Sequence, residues 1–506
     1  MIKRIIVVLT FVLLLQAAMG QTLRPSHWSD DYIRFLQTRG YLWRLSPLSR
    51  PLTAEDLQKA LSNDLTSPTQ ASAVAYERSL YLHDCLQHEG LQTGSLLIGA
   101  QMDERYVDDQ QDKYYAGVHR LHLGVQLRPW LQLYNVMVAD SRLDNQPDYL
   151  GIQQNGFAGY TEQAFLRLYR DGLEFKIGRD FLRLGPGRDA ALFVSDRSRP
   201  LDQVMLSYHN RLFHYQFFAA TLDPGRYAVA GAAGRQNRYL SGHRLEVQPW
   251  RFLSVAVQEA VIYGGAETGV NLAYCNPFAF FHAEQMNGPD PANTLGSLQM
   301  AVKPARDWLF YADLLIDDLQ VENSGPGDKE PAEWGYLLGV DWADPFWLRG
   351  LDLFAEYTAV ANRTYNTVNP WEKWLHRRLP LGHFLGNDFT RLSAGLSYWP
   401  VSAWRAFITY EHRQKGEGRI EMEFDEPWLD VPKGENYHEP FPFGVVESLD
   451  LLTLDLRWQP RWGVCVFGQA CHTSASNWNH QSGAGRSFWQ GQAGVSLDLF
   501  KSVRLP

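Results

Sequence analysis

From about Gly94 to Phe500 the chain alternates apolar and polar residues with a period of two, in segments of roughly ten to fourteen residues, the length a tilted strand needs to cross hydrocarbon. Between Gly117 and Arg128, Leu121, Leu123, Val125 and Leu127 fall on one face, and Arg120, His122, Gln126 and Arg128 on the other. Phe310, Ala312, Leu314 and Ile316 oppose Tyr311 and Asp313; Leu452, Leu454, Leu456 and Trp458 oppose Asp455 and Arg457. Short turns recur at Pro129-Trp130, Arg170-Asp171-Gly172, His209-Asn210-Arg211, Gln248-Pro249-Trp250, Pro304 to Asp307, Trp399 to Ser402 and Gln459-Pro460-Arg461. Longer polar stretches lie between them: Leu182 to Leu201, Asp223 to Gln236, Leu272 to Asn293, Asp318 to Ala332, Thr364 to Asp388, Gly416 to Val445 and Ser474 to Ser487.

Short turns alternating with long loops are the mark of an outer-membrane barrel, and a soluble sandwich or propeller has no reason to alternate them so regularly. The pattern predicts eighteen strands: 94–106, 115–128, 130–141, 160–170, 172–182, 202–209, 211–222, 237–248, 251–263, 294–303, 307–317, 333–342, 351–363, 389–399, 403–415, 446–458, 461–473 and 488–500. The expected fold is thus all-β, a transmembrane antiparallel β-barrel of about eighteen strands whose even count leaves no unpaired edge in lipid. A charge facing lipid near the midplane costs about 2–4 kcal/mol, so charged members of each strand are assigned to the lumen. The last segment resembles a terminal barrel strand, with Lys501 to Pro506 extending past the closing Phe500.

The period is different before the barrel. Trp28, Tyr32 and Leu36 recur at helical spacing, and Thr53 with Asp56 forms a box-like cap ahead of Leu57, Ala60 and Leu61. A small helical unit over 21–92, sitting against the periplasmic mouth or plugging it, is expected before a barrel over 93–506. Residues 1–20 read as a signal peptide: basic Lys3 and Arg4, apolar Ile5 to Leu15, and the cleavage site Ala18-Met19-Gly20. No stretch is long enough for a transmembrane helix.

Composition narrows the function. Net charge is −9, or −11 once Lys3 and Arg4 leave with the signal, which disfavours nucleic acid as a partner. Four scattered cysteines give neither a disulfide scaffold nor a zinc module; Cys465 and Cys471 are about 20 Å apart on one straight strand, while pairing of Cys85 with Cys275 stays open. No cofactor or metal is expected. Seventeen Trp, 24 Tyr and 26 Phe suit both membrane interfaces and sugar faces.

Several segments carry a resemblance: Phe175-Lys176-Ile177-Gly178-Arg179-Asp180-Phe181-Leu182-Arg183-Leu184-Gly185-Pro186-Gly187, then Pro200-Leu201-Asp202, Asn276-Pro277-Phe278 with His282 and Glu284, Phe354-Ala355-Glu356-Tyr357, and Tyr410-Glu411-His412-Arg413. In this order they resemble the Bacteroidetes-type branch of the capsule-assembly Wzi family, over most of the mature chain. Leu184 is a departure, at a position where the family pattern leads us to expect Trp. The resemblance implies an eighteen-stranded outer-membrane barrel with a periplasmic helical unit. It implies a lectin that holds capsular or surface polysaccharide at the cell surface, without catalysis or cofactor.

A glycan site needs flat rings for sugar faces and planar polar groups for hydroxyls or carboxylates. Loop Thr364 to Asp388 supplies Tyr365, Trp371, Trp374, His376, Arg377 and Arg378; loop Ser474 to Ser487 supplies Trp478, Asn479, His480, Gln481 and Arg486. Candidate polysaccharide contacts are Arg179, Asp180, Glu284, Tyr365, Trp371, Trp374, Arg377, Arg378, Trp478 and Arg486. Arg120, Glu356, Glu411 and Arg413 are candidates for a lumen charge network, a reading that Arg179, Asp180 and Glu284 share. Trp371 and Trp374 can equally belong to an aromatic girdle, with the arginines meeting lipopolysaccharide phosphates. Gly185-Pro186-Gly187 reads as a strand-end turn, since no helix start follows at P-loop spacing. The protein is expected to be a monomer among outer-membrane lipid and lipopolysaccharide. The alternatives are a porin or sugar-specific diffusion channel and, further off, a glycan hydrolase using Glu356 and Glu411.

Overall fold

Strict alternation over so many segments has one closed solution, and the chain adopts it. The computed structural model describes residues 22–25, 27–65, 73–89, 91, 93–110, 112–145, 151–154, 156–224, 236–266, 268–288, 291–319, 329–432 and 435–505. The expected signal peptide lies outside them. Eighteen antiparallel strands close into a barrel: β1 (Ser95–Asp108), β2 (Lys113–Arg128), β3 (Leu131–Asp140), β4 (Phe157–Arg170), β5 (Leu173–Asp180), β6 (Leu201–His209), β7 (Phe213–Thr221), β8 (Asn237–Trp250), β9 (Leu253–Gly265), β10 (Ala292–Val302), β11 (Trp308–Asp318), β12 (Glu333–Ala343), β13 (Leu351–Val360), β14 (Phe389–Tyr398), β15 (Trp404–Lys415), β16 (Glu447–Arg461), β17 (Val464–Ser476) and β18 (Gly485–Arg504).

Each strand pairs with its sequence neighbour, and β18 closes on β1 from Gly491↔Asp108 to Arg504↔Ser95. Leu121, Leu123, Leu314, Leu452 and Leu454 are exposed on the outside, whereas Arg120, Tyr311 and Asp313 are buried within. Stacked pairs Trp308–Trp342, Trp404–Trp458 and Trp250–Phe252 mark the end with short turns, and Trp334–Tyr336 the end with long loops. Such girdles flank an apolar band.

Several strand boundaries shift by two or three residues from expectation, and two differences at β17 and β18 matter for the site. Ser474–Ser476 and Gly485–Ser487 are strand, so residues 477–484 alone connect β17 to β18; small polar residues there mark strands outgrowing the apolar band rather than a loop. Lys501 to Arg504 likewise continue β18, because Ile98 to Ser95 at the start of β1 need partners. None of the four cysteines is in a disulfide.

Three helices, α1 (Ser29–Thr38), α2 (Ala54–Leu65) and α3 (Ala73–Glu89), pack against the short-turn end. Thr53 Oγ1 accepts the Asp56 N–H at 3.0 Å and so caps α2. Tyr32 Oη and Arg78 Nη2 donate to the carbonyls of Ser402 and Trp399 at 2.8 and 2.6 Å, and Tyr81 Oη to that of Gln459 at 3.1 Å. The Trp399 ring wedges against Tyr32 and Phe35.

Residues 181–200 between β5 and β6 turn into the lumen. Arg183–Leu184 pairs with Ser49–Arg50 of the helical unit, Gly185 N–H donates to Leu48 O at 2.8 Å, and Arg34 Nη1 to Pro186 O at 2.9 Å. A Cβ on Gly187 would lie 2.1 Å from Ala190 O and one on Gly185 2.5 Å from Ala191 Cβ, so close approach requires both glycines. Leu182, Leu184, Leu192, Phe193 and Val194 then pack with Trp374 and Leu381 from residues 361–388 as an apolar plug against inward residues of β6 to β14. Burial of each large side chain contributes about 1.5–3 kcal/mol. Inward positions of β16, β17, β18 and β1, including Asp455, Arg457, Gln469, Gln492, Asp103 and Arg105, stay half-exposed. The lumen is thus filled on one side and polar on the other. Residues 268–288 fold the opposite way, with helix α4 (Phe281–Asn287) against β9 and β10.

Candidate functional site

The loop end is built on a cation set by strand alternation. Arg238 points inward from β8; its Nε donates to Trp371 O at 2.7 Å and its Nη2 to the carbonyls of Lys373 and Leu375 at 2.6 and 2.9 Å. Those bonds hold the segment that leads into a two-residue hairpin, where Leu375–His376 pairs with Leu379–Pro380. Arg377 and Arg378 form its tip at φ 51° and 66°. This left-handed pair is the geometry usually given to Asn-Gly, and L-residues lose about 1–2 kcal/mol each by adopting it. Both side chains are exposed, and Asp223 fixes the turn by accepting the Arg377 N–H at 2.5 Å.

Burial shifts the charges beneath the tip. Glu372, which accepts from Asn369 Nδ2 at 3.1 Å, is pushed up to about 7 by burial. Lys373, whose Nζ donates to Met422 O, is lowered to about 8 by burial against the opposing pull of Glu421 and Glu423. His383, stacked on Phe384 and Phe389, is held well below its ordinary value by burial and by Arg391.

A second aromatic and cationic group stands on the inner rim. The Arg486 guanidinium lies 5.0 and 5.2 Å from the rings of Trp478 and Phe488 and donates to Gln110 Oε1 at 3.0 Å. Arg486 belongs to β18 rather than to a loop.

The lumen carries a continuous chain of ion pairs and hydrogen bonds. Arg391 binds Asp189, Glu411 and Glu356 at 2.5, 2.6 and 3.5 Å, and Arg413 pairs with Glu411. Glu356 also accepts the Arg188 N–H at 2.8 Å and the Tyr311 hydroxyl at 3.0 Å. Arg188 and Arg34 share Asp341, both at 2.6 Å, which carries the chain to α1 beside a polar cavity of about 310 Å³. Glu356 and Glu411 are bridged by one guanidinium, so neither is placed across an open cleft as a hydrolase pair requires. Arg120 is paired with Glu162 at 2.9 Å.

The candidate contacts therefore separate. Arg377, Arg378, Trp371, Trp478 and Arg486 retain accessible surface at the loop end. Tyr365 and Trp374 are fully buried, donating to the carbonyls of Leu192 and Phe193 at 2.5 and 2.9 Å. Asp180 is also buried, held by Lys176 at 2.6 Å and Gln163 at 2.8 Å. Arg179 forks onto Asp202 at 2.8 and 2.6 Å. Glu284 lies on α4, outside the wall. Arg238 and Arg363 were not singled out from sequence; the latter sits 4.5 Å from the Trp428 ring and binds Asp425 and Glu439 at 3.1 and 3.0 Å. Alternation alone could flag Arg238 as an inward cation. Among the described residues, no group of three His, Cys, Asp or Glu side chains is arranged to hold a metal.

The fold has solved relatives. An Escherichia coli outer-membrane protein, Wzi, involved in group 1 capsule assembly and described as a carbohydrate-binding β-barrel, superposes with a TM-score of 0.62 at 13% identity, covering 96% of this chain and 99% of that one. The Pseudomonas aeruginosa proteins OccD3 and OccK1 align with TM-scores of 0.47 and 0.46 at 10% identity, covering 81% and 80% of this chain and 92% and 99% of theirs. No curated protein sequence matches. The model of the capsule assembly protein Wzi family matches residues 92–488. This outer-membrane β-barrel belongs to the Wzi family of capsule assembly proteins.

Proposed function

We propose that the protein is a non-catalytic lectin that holds capsular or surface polysaccharide at the outer face of the cell, as a monomer with its helical unit in the periplasm. The observation that carries this reading is the exposed Arg377-Arg378 tip, maintained in a disfavoured backbone conformation above a filled half of the lumen. Two adjacent exposed cations presented on such a turn point to an anionic ligand. Arginine forks suit the carboxylates of an acidic glycan, and Trp371, Trp478 and Arg486 add ring faces and a further cation. The E. coli relative's carbohydrate binding supports the same reading.

Deleting the gene and comparing cell-attached with shed polysaccharide tests it: retention falls if the protein anchors glycan, and unchanged retention rejects the role. A diffusion channel is the second reading, favoured by the half-exposed polar side along β16 to β18 and β1. Planar-bilayer conductance separates the two, since a porin passes ions freely and a plugged lectin passes few.

A further inference from the structure

Residues 268–288 leave the loop end and run back down the outside of the barrel. The direction is fixed by alternation: Gln258, Ala256 and Ala260 of β9 are buried inward, so Glu259, Val261 and Tyr263 face outward. These outward residues should meet lipid, yet all three are buried. They are covered by Tyr274, Phe281 and their neighbours, with Phe217 of β7 in the same cluster. Phe278 stacks on outward-facing Tyr215 at 5.8 Å, in the row of paired residues that contains exposed Leu245 and Val257. Glu259 lies six residues along β9 from Leu253, about 20 Å at the usual rise. The segment thus lies within the apolar band.

Irregular backbone is excluded from hydrocarbon unless its polar groups are satisfied within the protein. Many of them are met within the protein here. Asn271 Oδ1 accepts from Ala273 N at 2.9 Å, and Asn276 Oδ1 from Phe278 N at 3.1 Å; the N–H groups of Cys275, Asn276 and Ala279 bond to carbonyls three residues back. Pro277 has no N–H, and its carbonyl accepts from the Tyr215 hydroxyl. The outward carboxylate of Glu259 takes the N–H groups of Phe281 and His282 at 2.9 and 2.7 Å and faces His243 at 3.3 Å. Meanwhile Phe278 is 85% exposed, Leu272 81%, Met286 71% and Phe280 64%. Their apolar surface continues the barrel's lipid-facing band.

We propose that residues 268–288 form a membrane-embedded flap whose exposed apolar face is solvated by acyl chains of the outer leaflet. A segment that reads as an extracellular loop is instead an interfacial anchor, and Glu284 lies on it away from the glycan-facing end. Glu259 would be a costly lipid-facing charge on a bare strand; under the flap it is the peg that holds the anchor down.

The test uses the full mature chain with Cys85, Cys275, Cys465 and Cys471 replaced by Ala, reconstituted in phospholipid vesicles. Nitroxide labels are placed singly at Phe278→Cys, Leu272→Cys and Met286→Cys, with Leu123→Cys as the lipid-facing reference and Arg378→Cys as the aqueous one; heat-modifiable gel migration confirms folding. Relaxation by dissolved oxygen and by a water-soluble nickel chelate is compared. The flap labels should match position 123, with severalfold stronger relaxation by oxygen than by the chelate. Relaxation by the chelate as at position 378 overturns the proposal, and so does protection from both reagents, which would place a second copy of the chain there. If one substitution prevents folding, the other two positions give the same reading.

Discussion

The Trp374 indole N–H donates to Phe193 O at 2.9 Å, joining two chain segments 181 residues apart inside the barrel. Tyr365 to Leu192 O and Ser195 N to Leu381 O, at 2.5 and 2.6 Å, join the same two segments. Neither segment belongs to the barrel wall, so their order rests on one another and on the wall. Trp374→Ala should cost about 3–5 kcal/mol as a large-to-small core change. It should lower the heat-modifiability midpoint and raise single-channel conductance in planar bilayers.

At the hairpin tip, stability and function should move in opposite directions. Replacing Arg377 with Asn and Arg378 with Gly supplies residues suited to the left-handed turn, and should stabilise the hairpin by about 1 kcal/mol or more. The same pair of changes should reduce cell-attached polysaccharide and binding of purified acidic glycan. A thermal shift upward with lower glycan retention is the expected outcome; unchanged retention would remove the tip from the binding surface.

Arg391 is buried among three carboxylates. Arg391→Met leaves Asp189, Glu356 and Glu411 without their shared cation, and breaking such a buried set costs about 3–5 kcal/mol. Thermal unfolding in detergent measures the loss. Adding Glu356→Gln and Glu411→Gln should recover part of it, because fewer buried charges then lack a partner.

Glu372 makes stability depend on pH. Burial raises its folded value from the ordinary 4.5 to about 7, so between those limits the folded protein holds a proton that the unfolded chain has released. Its contribution to stability is therefore present below about pH 4.5 and is lost as pH rises to about 7. Glu372→Gln should flatten this part of the melting-temperature profile between pH 4.5 and 7.5.

Much of the barrel is legible because lipid and lumen impose opposite demands on successive residues. Leu314 and Asp313 could be assigned to opposite faces from alternation alone, and the count of eighteen strands follows from such pairs. The candidate site is less legible, since strand period says nothing about where a loop goes. Trp374 and Arg377 are three residues apart in one polar-looking stretch, yet one is sealed in the plug and the other exposed at its tip. The Arg238 bonds that hold this segment cross more than 130 residues and carry no local signal. Leu272 to Asn293 reads as a loop for the same reason: Asn, Pro and Gly mark irregular backbone whether it faces water or acyl chains.

The seam between β18 and β1 also decides whether the cylinder can close. Its rungs run to Arg504↔Ser95, so a polypeptide cut short before Leu499 lacks the partner for the opening residues of β1. Such a fragment presents raw backbone to the bilayer and cannot finish insertion. Truncation ahead of Leu499 should therefore abolish heat-modifiable migration, whereas removal of Leu505 and Pro506 should leave it intact.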